Sequence, residues 1–424
     1  MKFFERKIGQ FVWFCAGLIF ALSISFPDGY HIGAWLLFLS SISLFFLKSC
    51  WKNLDYDDKV LFYLFLIFLI SIFFSILIDW YHSGIFIHKM VDRFSLIIVV
   101  LPVVVLLLRA SGYKEVLWYG IFIGSISAFL VALYERTILG FPRARGAENP
   151  IMFGDISMLL GFLSFVGAIY YYSCKKTLLT VLFLVGGFSG VASSILSGSR
   201  GGWVAIPFII AFLLWESREL LGRKRLVLAF ITFLMMVSIA FFTPQTGIKN
   251  RVEAAVSNVS NYVQETNKVT SVGMRFDMWK SAVYMFLDSP ILGVGESQIR
   301  NIKQDLADSG YISQSSVRFF HAHNEVLDTI SKRGLVGLVF LLALYFIPLK
   351  LFMKKIRKGN NWNIKSYALA GAVVPMSYID FGFTEVIFSH DIGVMMYFFS
   401  ITIFWAAIKN EEKDNFLTLK RRAV

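Results

Sequence analysis

Charge is scarce in this chain. Asp, Glu, Lys and Arg make up 16% of its 424 residues, against 57% hydrophobic residues and a mean hydropathy of +0.65. So apolar a chain cannot fold around a single core in water. Cysteine is scarcer still: Cys15, Cys50 and Cys174 fall in apolar runs or on one side of them, leaving the opposite loops without a disulfide or a thiolate metal site. The sequence has no Walker-type phosphate loop, no His-Glu-x-x-His pattern, no internal repeat and no low-complexity segment. ATP hydrolysis and zincin chemistry are thereby excluded. The short alternating segments of an outer-membrane barrel are absent too.

What is abundant is apolar runs of roughly 17 to 25 residues, the length an α-helix needs to cross about 30 Å of hydrocarbon. Twelve spans are predicted near 9-26, 31-47, 60-78, 94-108, 115-134, 151-172, 177-196, 202-215, 226-242, 334-349, 366-379 and 392-408. The fold class is therefore an all-α polytopic membrane protein with about 12 transmembrane helices. It divides into a membrane part of nine spans (1-242), a periplasmic loop with interfacial helices (243-333), and a second part of three spans with a cytoplasmic C-terminal tail (334-424). The basic N-terminus, with Lys2, Arg6 and Lys7 before an apolar run, lacks a small-x-small cleavage site and reads as a retained first span. Small residues at four-residue spacing, Gly120/Gly124/Ala128 and Gly186/Gly190, predict close helix packing.

The formal net charge of +13 is explained by where the basic residues lie. Every second connection, together with the two termini, holds 25 of the 41 Lys and Arg residues. The short connections between them hold only Lys89, Arg93, Arg136, Arg143, Arg145 and Arg200, and the 243-333 segment holds 10. By the positive-inside rule both termini are cytoplasmic and the long segment is outside. The basic balance is topological and does not point to nucleic acid.

Arginines kept at the outer surface against that rule need a reason. Arg143 and Arg145 precede a helix start in Phe141-Pro142-Arg143-Ala144-Arg145-Gly146, and Arg200 lies in the small-residue turn Ser197-Gly198-Ser199-Arg200-Gly201-Gly202. A guanidinium forks onto phosphate oxygens and never loses its charge, which suits a lipid pyrophosphate at a helix N-terminus. The plainer alternative is that these arginines snorkel to head groups or pair with Glu135 and Glu148. In the long loop, Asn250 to Thr270 is polar and helix-permissive. Phe276 to Leu287 is an apolar stretch suited to an interfacial helix, broken at Asp288-Ser289-Pro290, with Arg275 at its start. Arg275 has the alternative of pairing with Asp277.

Two of the six histidines stand in His321-Ala322-His323-Asn324-Glu325, just before the tenth span. Near an outward helix N-terminus, the dipole favours the neutral ring that a general base requires, which singles out His323. His-x-His with Glu325 could bind a metal, but no third ligand group is evident, and a purely structural pair is the other reading. His390 with Asp380, Glu385 and Asp391 reads as a solvated rim.

At this point the residues resemble the bacterial O-antigen ligases, within the larger ligase and polymerase superfamily of lipid-linked glycan enzymes. Val269-Thr270-Ser271-Val272-Gly273-Met274-Arg275-Phe276-Asp277-Met278 is similar to the loop segment of enterobacterial ligases. The His321 to Glu325 run with Gly334-Leu335-Val336-Gly337 is similar to the superfamily signature. The resemblance implies an inverting, metal-independent transfer of polysaccharide from undecaprenyl pyrophosphate to a lipid A-core hydroxyl, at the periplasmic face of the inner membrane. His323 would be the base and Arg200 and Arg275 the pyrophosphate partners. Arg143, Arg145, His321 and Asn324 would help bind substrate, with no cofactor, metal or nucleotide. A polymerase that extends the glycan on its carrier uses the same donor and similar residues. A lipid-glycan transporter ranks lower, because the span centres carry almost no charge.

Overall fold

The computed structural model describes residues 2–42, 44, 54–84, 88–199, 201–242, 257, 262, 264, 270–358 and 361–422. Cys50, Arg200 and nearly all of the 250–270 stretch lie outside them. The described residues form helices and contain no strand: α1 (Lys2–Leu22), α2 (Gly29–Ser41), α3 (Tyr56–Ser83), α4 (His88–Arg109), α5 (Val116–Thr137), α6 (Pro150–Ser173) and α7 (Thr177–Ser197). After a 3-10 turn at Gly201–Trp203 come α8 (Ile206–Glu216), α9 (Arg218–Phe242), α10 (Ser271–Asp288), α11 (Ile299–Asp308), α12 (Glu325–Lys358), α13 (Trp362–Gly382) and α14 (Asp391–Arg422).

Among the described residues, each apolar run expected to span lies mostly on one of these helices. Among the described residues, six are by themselves long and apolar enough to cross a membrane: α3, α5, α6, α7, α12 and α14. Shorter apolar stretches lie at Lys7–Leu22, Ser95–Arg109 and Gly201–Glu216. The protein is thus an all-α polytopic membrane protein. Within the bundle α6 and α14 are central, with 89% and 94% of their apolar windows buried, whereas α3 has 33% and turns most of its surface outward. A helix apolar on all sides buries well only inside such a bundle.

The predicted small-residue contacts are present. A Cβ on Gly120 would stand 2.3 Å from the Gly17 carbonyl oxygen of α1, and one on Gly190 would stand 2.6 Å from the Gly161 Cα of α6. Close backbone approach of this kind replaces the hydrophobic drive that lipid does not supply.

Two features place the site. In α10, Met278, Ala282 and Met285 form a buried stripe at helical spacing, while Val283, Tyr284 and Leu287 stay exposed on the other side. The Thr270 hydroxyl caps this helix by accepting the Gly273 amide at 3.0 Å, and Ser289-Pro290 ends it. The second is α12, which starts at Glu325 and therefore ahead of the apolar run beginning at Gly334. Gly334 breaks it with φ 60° and ψ −156°. The polar residues 325–333 form a separate helical segment that periodicity of apolar residues could not reveal.

Candidate active site

His321, Ala322 and His323 form a short irregular stretch against the N-terminus of α12. His323 sits in the left-handed region, φ 46°, a conformation that surrounding contacts must impose on a residue with a Cβ. Asn324 then caps the helix, its Oδ1 accepting the Leu327 amide at 3.0 Å while its Nδ2 donates to the Phe383 carbonyl at 3.3 Å. The second contact ties the histidine stretch to the connection between α13 and α14.

That connection brings Glu385 to the histidines. His323 Nδ1 is 2.9 Å from Glu385 Oε2, His321 Nδ1 is 3.7 Å from Oε1, and His390 Nε2 is 3.9 Å from Oε1. The His321 and His323 rings meet edge to face, 4.2 Å between centroids. A carboxylate only accepts, so the His323 contact requires Nδ1–H and leaves Nε2 as the ring nitrogen not engaged by Glu385. Burial works against the Glu385 charge. Hydrogen bonds from His323 and His390, with the charges of His323 and His321, outweigh it and hold the carboxyl below its ordinary range. Burial pushes His321 down to about 4, its neighbour His323 adds to this, and Glu385 only partly opposes it.

The expectation of a solvated rim at 380–391 is therefore corrected for its two inner acids, since Glu385 and Asp380 are each 2% exposed. Val386, Ile387 and Phe388 follow Glu385 into the interior and carry it there; that apolar flank was the available signal. Glu385 also supplies the third group that the sequence did not reveal beside His-x-His. The donor atoms of His321, His323 and Glu385 lie within 4.8 Å of one another, a spacing that could hold a metal ion. Glu325, the acid considered there from sequence, instead accepts the Phe388 amide at 3.1 Å.

Arg275, in the first turns of α10, is half-buried. Burial lowers its pKa, while Glu385 and Asp155 favour the cation, so its guanidinium is within electrostatic reach of both carboxylates. Its supposed partner Asp277 is occupied elsewhere, accepting the Tyr262 hydroxyl at 2.9 Å and the Ser313 amide at 2.9 Å. Asp155 of α6 is fully buried and accepts the Ser199 hydroxyl at 3.1 Å. A Cβ on Gly201 would lie 2.1 Å from the Thr384 hydroxyl. The residues on either side of Arg200 are thus packed between Asp155 and the Thr384-Glu385 connection.

Arg143 braces the same turn, its Nε donating to the Ser197 carbonyl at 2.7 Å. Arg145 is exposed with its guanidinium over the Phe141 ring at 4.9 Å. Glu135 takes the backbone amides of Arg145 and Gly146, at 2.7 and 3.0 Å. The structure therefore brings His321 and His323 to Glu385, with Arg275 in electrostatic reach, uses Asn324 as a helix cap and Arg143 to hold a neighbouring turn, and leaves Arg145 at the surface.

A bundle of long apolar helices with a histidine–carboxylate pair at one end defines a multi-pass membrane protein. Residues 181–342 match the family model described as O-antigen ligase. An uncharacterized protein of Haemophilus influenzae (strain ATCC 51907 / DSM 11121 / KW20 / Rd) is 26% identical over 402 residues, 94% of this chain and 99% of that protein. The O-antigen ligase of Escherichia coli (strain K12) is 26% identical over 228 residues, 52% of this chain and 50% of that protein. Residues 181–342 are thus similar to the O-antigen ligase family, and the long apolar helices make the chain a multi-pass membrane protein. The matched segment takes in the Ser197 to Gly202 turn, Arg275 and the histidine stretch, but ends before Glu385.

Proposed function

We propose that this protein is an O-antigen ligase, moving a polysaccharide from undecaprenyl pyrophosphate to a hydroxyl of the lipid A-core oligosaccharide. The observation that carries the reading is the 2.9 Å contact between His323 Nδ1 and Glu385, which presents Nε2 as a base in a setting rich in arginine. His323 takes the proton of the acceptor hydroxyl as its oxygen attacks the anomeric carbon, from the face opposite the departing pyrophosphate. The carbon–oxygen bond to the carrier breaks, its electron pair leaves with the phosphate, and the anomeric configuration inverts. Glu385 stabilises the imidazolium so formed.

Arg275 and Arg200 neutralise the charge growing on the pyrophosphate, with Arg143 holding the turn of Arg200 and Arg145 offering a further cation at the rim. The donor is already activated, so the transfer uses no nucleotide, cofactor or metal. The charge asymmetry of the connections supports cytoplasmic termini and a periplasmic site, with 243–333 as the outer loop between membrane parts 1–242 and 334–424.

The lipopolysaccharide of cells lacking the gene tests the reading, with the parent or the His323→Ala protein supplied back. A ligase leaves the core bare while full-length glycan accumulates on its carrier, and only the parent protein restores the ladder. Core bearing a single repeat unit would make the protein a polymerase instead.

A further inference from the structure

The geometry points to a chain of charges, Glu296–Lys332–Asp328, together with Trp279, as the device that positions His323 by holding Ala322 from two sides. The inference rests on the reading of His323 as the base. It begins from the break in α12. Because Gly334 leaves the helical path, the Leu335 and Val336 amides are free to donate to Pro290 and Ile291 at 2.8 and 3.2 Å. The Ser331 and Lys332 carbonyls in turn accept the Val294 and Gly295 amides at 2.9 and 3.1 Å. Residues 290–295 are thus stitched into the helix break by four backbone bonds. A Cβ on Gly293 or Gly334 would come within 2.3 Å of the opposing backbone.

The stitched segment delivers Glu296 to Lys332 at 3.0 Å, and Lys332 reaches Asp328 Oδ2 at 2.9 Å. Ser297, next in the chain, is fixed to α3 by Asp79, which accepts its amide at 3.2 Å and its hydroxyl at 2.5 Å. With Oδ2 held by Lys332, Asp328 turns Oδ1 to the Ala322 amide at 3.0 Å. From the other side, Trp279 Nε1 donates to the Ala322 carbonyl at 3.0 Å. Both polar groups of the residue between the two histidines are therefore clamped. Lys303, itself buried, adds a hold on the same loop by donating to the Phe319 carbonyl at 2.6 Å. Acting on the backbone next to it, these groups together impose the left-handed conformation of His323.

The test uses the full-length protein purified into lipid nanodiscs, with kcat and KM measured for a labelled lipid-linked glycan. Asp328→Ala lowers kcat about a hundredfold, the scale of a reacting group displaced by ~1 Å, and leaves KM within about threefold. Asp328→Asn keeps an acceptor for the Ala322 amide but gives up the Lys332 ion pair, so its kcat lies between those of the parent and Asp328→Ala. Should Asp328→Ala unfold in detergent, Trp279→Phe releases the other side of the clamp and lowers kcat on its own. Adding Asp328→Ala to His323→Ala brings no further loss, because a positioning residue acts only through the base. A folded Asp328→Ala or Trp279→Phe protein with parental kcat overturns the proposal. So does an Asn variant as poor as the Ala one, or a double variant with additive losses. Full activity in His323→Ala would overturn the base reading instead.

Discussion

The two ends of the helix bundle share close ion pairs, Glu296–Lys332–Asp328 at the histidine end included, and differ in what stands beside them. At the end away from the histidines, ammonium groups meet carboxylates closely. Lys354 pairs with Asp57 at 2.7 Å, Lys355 with Glu412 at 2.5 Å, and Lys114 with Glu411 and Asp414 at 3.0 and 2.6 Å. Lys409 contacts Asp55 and Asp58, and Asp58 also accepts the Trp405 indole at 2.9 Å. At the histidine end, buried polar atoms remain without a hydrogen-bond partner, among them His321 Nδ1 and the Thr384 hydroxyl, beside a carboxylate approached by three histidines. Charges that satisfy one another hold helices together, whereas groups left unsatisfied in the interior are what a substrate can complete.

Substitutions sharpen that contrast. The largest effect is expected for His323→Ala, which removes the base and should slow transfer by about 10²- to 10⁴-fold without unfolding the protein. Single-turnover transfer with the purified variant checks it, and near-parental rates would remove the base from the account. Glu385→Gln comes next: losing a hydrogen bond to a charged group is worth about 1.5–3 kcal/mol, or roughly ten- to a hundredfold in rate. A variant within twofold of the parent would make Glu385 a bystander.

A third substitution works through pH. His321 titrates at about 4 in the folded protein against an ordinary 6.5, so as pH falls the unfolded chain takes up the proton first. The stability this contributes is complete above 6.5 and is lost as pH falls through 4. Melting midpoints in detergent should fall over that window for the parent and fall less for His321→Asn. The smallest effect belongs to the paired end. Lys354→Ala should change stability by no more than about 1 kcal/mol and leave transfer unchanged, as exposed ion pairs usually do. A clear loss of activity there would erase the distinction between the two ends.

Much of this was legible in the sequence. Apolar runs fall where the helices are, because hydrocarbon length and helix rise leave little choice. The small-residue spacings mark real close contacts, and His-x-His before α12 lies beside Glu385. Glu385 was not legible as a site residue, since it lies 62 positions from His323 and acids between two spans ordinarily face water. Its burial follows from the apolar residues after it, which draw the connection inward. The helix start beside His323 was expected, but the burial of Glu325, Asp328 and Lys332 was not, because neither hydropathy nor periodicity marks ionisable residues as interior. Their partners come from Glu296 and Ala322, contacts that only the fold brings together.

Under the proposed function, the base and arginines serve transfer to the lipid A-core. Reconstitution tests it most directly, with purified protein, labelled undecaprenyl-pyrophosphate-linked polysaccharide, and both acceptors present: lipid A-core and a second carrier-linked glycan. Label should move to lipid A-core in the parent and stay on the carrier in His323→Ala. Label that appears instead as longer glycan still on the carrier would contradict the account and assign the same site to polymerisation.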